Sequence, residues 1–283
     1  MNTPLSRTRR EIEGLSIIVT GAGRGIGRAT AELLAAEGAT VALGDLDATL
    51  VQGVADRIGH GAVGAHLDVT SSDSWAEFLA AVGEVGPIDV LVNNAGIMPL
   101  GSVLMEPEAV ARAIIDVNVH GIINGTKAVA PGMADRGHGH IVNVASAVGR
   151  IAVAHGATYS ASKFAAVGFS EATRTELKPL GIDVSVVLPT VVQTELAAGV
   201  PAARGVKPVT AQEVAEVIAS AIRRPRAELW VPQWVQGMTR TTSLLPRFLQ
   251  EAMAKAFKAD SVLSDADQSA RSAYEARVRP PAG

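Results

Sequence analysis

Residues 15–27 read LSIIVTGAGRGIG, and this stretch decides the fold. A short, β-branched apolar run at 15–20 ends abruptly in glycines. Ile26, Ala29, Leu33 and Leu34 then recur at helical spacing up to Gly38, a suitable C-cap. The opening unit is therefore strand, glycine turn, helix. Glycines permit approaches that a Cβ would block, and a helix start offers free N–H groups and positive dipole to a pyrophosphate. The spacing is not G-x-G-x-x-G, whose third glycine would fall on Ile26. It is G-x-x-x-G-x-G, through Gly21, Gly25 and Gly27. By itself such a turn also reads as a tight strand-to-helix connection.

Outward from this unit, further strands are predicted at residues 40–43, 62–67, 88–92, 140–144, 183–188 and 229–231. Helical stretches fall between them, at 72–82, after Pro107, at 158–177 and at 210–223. Thr210 and Glu213 form a capping-box pattern at the last of these. Most strands are continuous apolar runs rather than alternating ones, as expected for a parallel sheet covered on both faces. The predicted fold is a single α/β domain, a doubly wound parallel sheet of about seven strands. Its core spans residues 14–232, followed by a partly helical extension at 233–283. In such a sheet, ligands bind at the carboxyl ends of the strands.

Composition bounds the function. The 283 residues carry a net charge of -3 and no cysteine. Disulfides, thiolate catalysis and cysteine zinc sites are excluded, and the charge argues against nucleic acid as a partner. The N-terminal arginines are not followed by the apolar run of a secretory signal. No run of about 18 uncharged apolar residues occurs, so no spanning helix is expected. The chain reads as cytoplasmic. His138 and His140 flank Gly139 without an evident third ligand, so a solvated turn is the expectation and no metal is assigned.

The second strand ends near Asp45, 18 residues after Gly27, where a carboxylate can accept hydrogen bonds from the adenosine ribose hydroxyls. It would repel a 2′-phosphate, and Leu46 offers no basic group to one. Arg24 pulls the other way, but Asp45 outweighs it, so NAD is favoured over NADP. Asp47 is the bland alternative to Asp45. Asp68, ahead of Val69 at the end of the third strand, reads either as a contact to adenine or as a turn residue before a helix.

The fourth strand runs into Asn93-Asn94-Ala95-Gly96, a tight turn suited to a cofactor. Ser146 follows the fifth strand. Tyr159 and Lys163 stand at i and i+4, on one face of a helix. An ammonium beside a phenol favours the phenolate and lowers its pKa, and Ser146 can donate to a substrate oxygen as charge changes there. Taken alone, Tyr-x-x-x-Lys is as readily a surface helix face.

Together these features resemble the short-chain dehydrogenases/reductases, the branch with one Rossmann-like domain. TGAGRGIG matches the family's cofactor turn and NNAG its central-strand motif. Ser146 stands 13 residues before Tyr159, and Tyr159-Ser160-Ala161-Ser162-Lys163 matches the active-site motif. The resemblance covers residues 14–232. It implies an NAD-dependent oxidoreductase moving a hydride between nicotinamide and an alcohol or ketone. Tyr159 becomes the acid/base, Ser146 the carbonyl-orienting donor and Lys163 a ribose clamp. Asn118 completes a tetrad by holding a proton-relay water, or stabilises a helix kink, or does both.

It also implies cofactor contacts from Gly21, Arg24, Gly25, Ile26, Gly27, Asp45, Asp68, Val69, Asn94, Ala95, Gly96, Tyr159, Lys163, Pro189, Val192 and Thr194. One departure stands out. Thr190 occupies the place of the glycine that usually follows Pro189.

Met98, Val148, Ile151 and Val153 predict a hydrophobic alcohol or ketone, and His155 either faces it or sits in an ordinary loop. A fatty-acyl-type ketoreductase and an NAD-binding sensor or scaffold without turnover are the alternatives. The intact tetrad speaks against the sensor, and Asp45 against an NADP-preferring ketoreductase.

The family resemblance further implies a homo-oligomer, a dimer or tetramer. Residues 234–257 carry large apolar residues among Arg240, Arg247, Lys255 and other polar groups. These need cover from the substrate cleft, a second subunit or, less favoured, a membrane surface, with Pro246 splitting the segment. The polar tail from Ser269, ending in Pro280-Pro281, is expected to be mobile.

Overall fold

The computed structural model of the protein describes residues 10–256 and 262–279. Seven strands form one parallel sheet: β1 (Ser16–Thr20), β2 (Thr40–Asp45), β3 (Val63–His66), β4 (Val90–Asn93), β5 (Gly139–Val144), β6 (Ile182–Pro189) and β7 (Glu228–Val231). The order is β3-β2-β1-β4-β5-β6-β7. Each matches a strand read from the sequence, with ends moved by a residue or two.

Successive residues of one strand face opposite layers. Ile17 and Val19 point to one side, against Ala31 and Leu34 of α1 (Gly25–Ala36), Val51 and Val54 of α2 (Ala48–Ile58) and Val214 and Ile218 of α7 (Ala211–Arg223). Ile18, between them, meets the other side with Leu91 and Ile141. There it packs with Trp75 and Phe78 of α3 (Ser72–Ala81) and Val129 and Met133 of α5 (Gly121–Arg136). Two buried faces account for the unbroken apolar runs. The capping box at Thr210 and Glu213 is present.

The chain reverses its winding between β1 and β4, which pair directly through Val19 and Val92. The glycine turn after β1 and the NNAG turn after β4 therefore meet at one edge, where doubly wound sheets hold ligands. Between α4 (Glu108–Ile115) and α5 the helix widens into a π turn, Asp116–His120, with Asn118 buried inside it. Helix α6 (Ala157–Leu177) carries Tyr159 and Lys163.

After β7, α8 (Trp234–Ser243) and α9 (Arg247–Ala256) are separated at Pro246, as expected. Val235 of α8 is buried with Trp230, whereas Trp234, Leu244, Phe248 and Leu249 are exposed. Phe257 lies outside the described residues. The expectation of a mobile tail from Ser269 is corrected. Asp267 caps a helix, α10 (Gln268–Val278), through the amides of Ser269 and Ala270, and Arg271, Tyr274 and Glu275 are buried. Arg271 and Glu275 bond to one another, and Arg271 to backbone carbonyls, so for these two polarity did not mean exposure. Pro280 and Pro281 lie outside the described residues. Among the described residues, no helix is long and apolar enough to cross a membrane.

Candidate active site

The glycine turn is shaped by backbone angles that only glycine adopts freely. Gly21 has φ +63° and Gly25 +51°. Gly27 is packed so closely that a Cβ would stand 2.2 Å from the Gly21 carbonyl oxygen. The turn is locked to the NNAG segment by Thr20, whose Oγ1 accepts from the amides of Asn94 and Ala95, each at 3.0 Å. Asn94 Nδ2 donates to the carbonyls of Thr20 (2.9 Å) and Gly21 (3.2 Å). Its side-chain amide is thus spent on holding the turn.

At the end of β2, the Asp45 carboxylate accepts from the Gly23 amide at 3.0 Å and the Asp47 amide at 3.2 Å. Asp47 instead caps α2, accepting from Leu50 N at 2.9 Å. The Arg24 guanidinium lies 3.7 Å from Asp47 and 3.6 Å from Glu195. Two carboxylates therefore flank the Arg24 guanidinium. Asp68 makes a turn, its Oδ1 accepting from the amide and hydroxyl of Thr70 at 2.9 and 2.7 Å. Ser71, not Asp68, caps α3. Asn124 fixes the carbonyl of Val69 from the side, at 3.1 Å.

The four residues expected to form a tetrad converge at the ends of β4 and β5. Asn118, Ser146, Tyr159 and Lys163 are all buried. The Ser146 hydroxyl is close enough to the Tyr159 phenol to lower its pKa. Ser146 Oγ also accepts from Val148 N at 3.1 Å. Lys163 Nζ lies 5.7 Å from the centre of the Tyr159 ring and donates to the Val144 carbonyl at 3.3 Å. Asn118 Oδ1 accepts from Ile97 N at 2.8 Å, while its Nδ2 donates to Ile97 O (2.9 Å) and Ser162 Oγ (3.0 Å). Gly96 fits against Asn118 and Lys163 together, since a Cβ there would stand 3.2 and 3.5 Å from their polar atoms.

Electrostatics differ from the sequence expectation in one respect. Burial pushes the Tyr159 phenol up to about 12, against the lowering effect of the Ser146 hydroxyl. Burial likewise pulls the Lys163 ammonium down to about 8. Desolvation is the dominant influence on both groups.

Beyond β6, Thr190 bonds twice to the Val231 carbonyl, from its amide at 3.0 Å and its hydroxyl at 3.2 Å. The hydroxyl anchors the loop to the end of β7, a contact that glycine could not make. Val192 pairs with Val209, and the Thr194 methyl faces Gly25, 3.2 Å from where a Cβ there would be. The loop still brings residues 192–194 to the glycine turn.

On the substrate side, Met98, Leu100, Leu263 and Ala266 are buried around Tyr159, and Val148, Val153, Leu196, Val200 and Val262 pack against them. Ile151 is 36% exposed and lies outside this cluster. His155 is exposed, in the left-handed region at φ +59°, and its carbonyl accepts from Gly101 N. His138 is exposed, 3.5 Å from Asp89, and His140 is buried against Ser185 Oγ at 2.9 Å.

Sequence reasoning missed Thr20, Ser162, Arg271 and Tyr274. The last two had a readable signal: Asp267 ahead of Ser269 and Ala270 is an N-cap, and Arg271, Glu275 and Arg279 are spaced i, i+4.

A family model described as short chain dehydrogenase matches residues 16–205. A 3-oxoacyl-[acyl-carrier-protein] reductase of Vibrio cholerae is 37% identical over 186 residues, 65% of this chain and 76% of that protein. A trans-4-hydroxycyclohexanecarboxylate dehydrogenase of Sinomonas cyclohexanicum is 34% identical, covering 76% of this chain and 88% of that one. A short-chain dehydrogenase/reductase of Burkholderia phymatum, solved in complex with NAD, superposes with a TM-score of 0.75 at 26% identity, covering 82% and 93% of the two chains. The seven-stranded parallel sheet, the meeting turns and these similarities lead to one conclusion: the chain belongs to the short-chain dehydrogenase family of oxidoreductases.

Proposed function

We propose that the protein transfers a hydride between NAD(H) and an uncharged, largely apolar alcohol or ketone. The observation that carries this reading is the burial of Ser146, Tyr159 and Lys163 together, with the Lys163 ammonium 5.7 Å from the centre of the Tyr159 ring. Cofactor choice follows from Asp45 at the ribose position and from the carboxylates that flank Arg24. Bound NADH supplies the hydride to a carbonyl carbon, and NAD accepts one from an alcohol.

The chain's own residues manage the proton and the oxygen. In reduction, Ser146 donates a hydrogen bond to the substrate oxygen, and Tyr159 gives it the phenolic proton. A phenol held up at about 12 is an acid that keeps its proton until charge develops on that oxygen. In oxidation the phenolate must form first. Lys163, 5.7 Å from the ring centre, would then stabilise it and would hold ribose hydroxyls of the bound cofactor. Asn118 holds the Ile97 backbone and the Ser162 hydroxyl, which fixes the loop that faces Tyr159. Apolar Met98, Leu100, Val148 and Val153 favour substrates without charge near the reacting carbon.

The test is absorbance at 340 nm with NAD, NADP and a panel of cyclohexanols, hydroxysteroids and 3-hydroxyacyl thioesters. NAD-dependent turnover of an uncharged secondary alcohol is expected, with Tyr159→Phe losing roughly 10²- to 10⁴-fold in rate. Turnover only with NADP and acyl thioesters would favour a ketoacyl reductase. NAD binding without any turnover would favour a sensor.

A further inference from the structure

A substrate oxygen must touch Tyr159, yet Tyr159 is only 5% exposed. Part of what closes the site lies beyond the stretch matched to the family, which ends at residue 205. Leu263 and Ala266 lie in the cluster around Tyr159, and Leu263 sits where a Cβ on Gly156, at the start of α6, would be 2.5 Å away. Helix α10 follows directly.

Arg271 of α10 is fully buried, and four of its five N–H groups are engaged. Nη2 donates to Met98 O at 2.7 Å. Nη1 donates to Leu196 O at 2.9 Å and Ala198 O at 3.1 Å, and Nε meets Glu275 at 3.1 Å. One guanidinium thus joins the loop after NNAG to the loop after Thr194, the two walls on either side of Tyr159. Tyr274 adds a second tie, its Oη accepting from Met98 N at 2.7 Å. The peptide between Ile97 and Met98 is therefore gripped by Asn118 from one side and by α10 from the other. Glu275 neutralises Arg271 and accepts from Leu100 N at 3.3 Å. With Arg271 so engaged, it is poorly placed to bind an anionic substrate.

The residues that α10 buries are Arg271, Tyr274 and Glu275, none of them aliphatic. Polar ties of this kind can be exchanged for water when a helix lifts, each at a modest net cost that is larger for a bond to a charged group, so each tie lost makes opening easier.

We propose that α10 is the substrate-side wall of the active site and that Arg271 is the positioning residue that latches it shut across both loops. Opening of α10 admits substrate to Tyr159, and closing restores the dry apolar wall. This deepens the oxidoreductase reading, because the wall matters only if Tyr159 is the reacting group.

The chain holds only two tyrosines, Tyr159 and Tyr274. Nitration of the full chain with tetranitromethane, followed by peptide mapping, therefore reports separately on the site and on the latch. In Arg271→Met, nitration of Tyr159 should rise roughly tenfold or more, as expected when a local opening becomes easier. Faster nitration of Tyr274 with Tyr159 unchanged would overturn the proposal. Tyr274→Phe keeps the ring and loses only the Met98 tie, and should raise Tyr159 nitration by a smaller factor; no rise would count against the latch.

Should either variant fail to fold, amide exchange in the unmodified chain decides. Met98 and Leu100 must exchange faster than Val92 and Val142; equal protection would mean that α10 opens only with the whole fold. On any alcohol that turns over, Arg271→Met should raise KM about fivefold with kcat changed less than about threefold, as for lost binding of a wall. Arg271→Lys should fall between the two, because it keeps the charge but not the fork. Unchanged KM in a folded Arg271→Met would remove the positioning role. If no alcohol reacts at all, the function reading fails, while nitration and exchange still judge the latch.

Discussion

Replacing Lys163 by methionine should abolish efficient turnover and yet make the ligand-free protein more stable. Lys163 is buried with its ammonium donating to one backbone carbonyl, Val144, at 3.3 Å. Burial holds its pKa at about 8, against 10.5 when unfolded. Between these values the unfolded chain binds the proton more strongly than the folded one. Stability attributable to this group therefore rises with pH from about 8 to 10.5 and is lowest below 8. At pH 7 the cost is of order 3 kcal/mol, somewhat under two and a half pKa units at about 1.4 kcal/mol each. At pH 10 the unfolded lysine is itself mostly near its own titration, and the cost falls below about 1 kcal/mol.

Methionine is unbranched and flexible, so it can follow the same path through the site without a charge. Guanidinium unfolding of both proteins at pH 7 and pH 10 measures the effect. Lys163→Met should gain about 3 kcal/mol at pH 7 and little at pH 10, with other titrating groups cancelling between the two proteins. A gain of the same size at both pH values, or a variant less stable than the parent at pH 7, would refute the reasoning. The expected trade is a catalytic group kept at a cost in stability.

Asp45→Ala should narrow the preference for NAD over NADP in calorimetric titration. It should also weaken NAD by about tenfold, because the carboxylate holds the Gly23 amide as well as facing the ribose position. Gly27→Ala would drive a Cβ to within 2.2 Å of the Gly21 carbonyl. Thermal melting should show a loss of roughly 1–3 kcal/mol, the cost of overpacking, together with lost NAD binding. Burial raises both phenols, Tyr159 to about 12 and Tyr274 upward as well. Absorbance at 295 nm should therefore show no ionisation of the folded chain near pH 10, while the unfolded chain titrates there; a step near pH 10 in folded protein would contradict the burial argument.

The order of elements and the parallel sheet could be read from the chain, because each rests on local pattern; Ser146, Tyr159 and Lys163 stood out by their spacing, and Asn118 only through the family resemblance. Unbroken apolar runs signal a strand covered on both faces, glycines at Gly21, Gly25 and Gly27 signal a backbone that a Cβ would obstruct, and Tyr159 and Lys163 share a helix face by spacing alone. Division of labour between neighbours was not local. Asp45 and Asp47 are alike in sequence, and only the folded turn gives one the Gly23 amide and the other the cap of α2.

The balance of charge in the site also awaited the structure. Desolvation is set by everything packed around a group, so adjacency of Tyr159 and Lys163 predicted a lowered phenol where burial raises it. The tail shows the same limit most clearly. Ser269, Arg271, Glu275 and Arg279 look like a solvated end, because composition records polarity but not partners. Tertiary structure supplies partners for Arg271 and Glu275, the carbonyls of Met98, Leu196 and Ala198 and the amide of Leu100, and so buries one face of a polar tail.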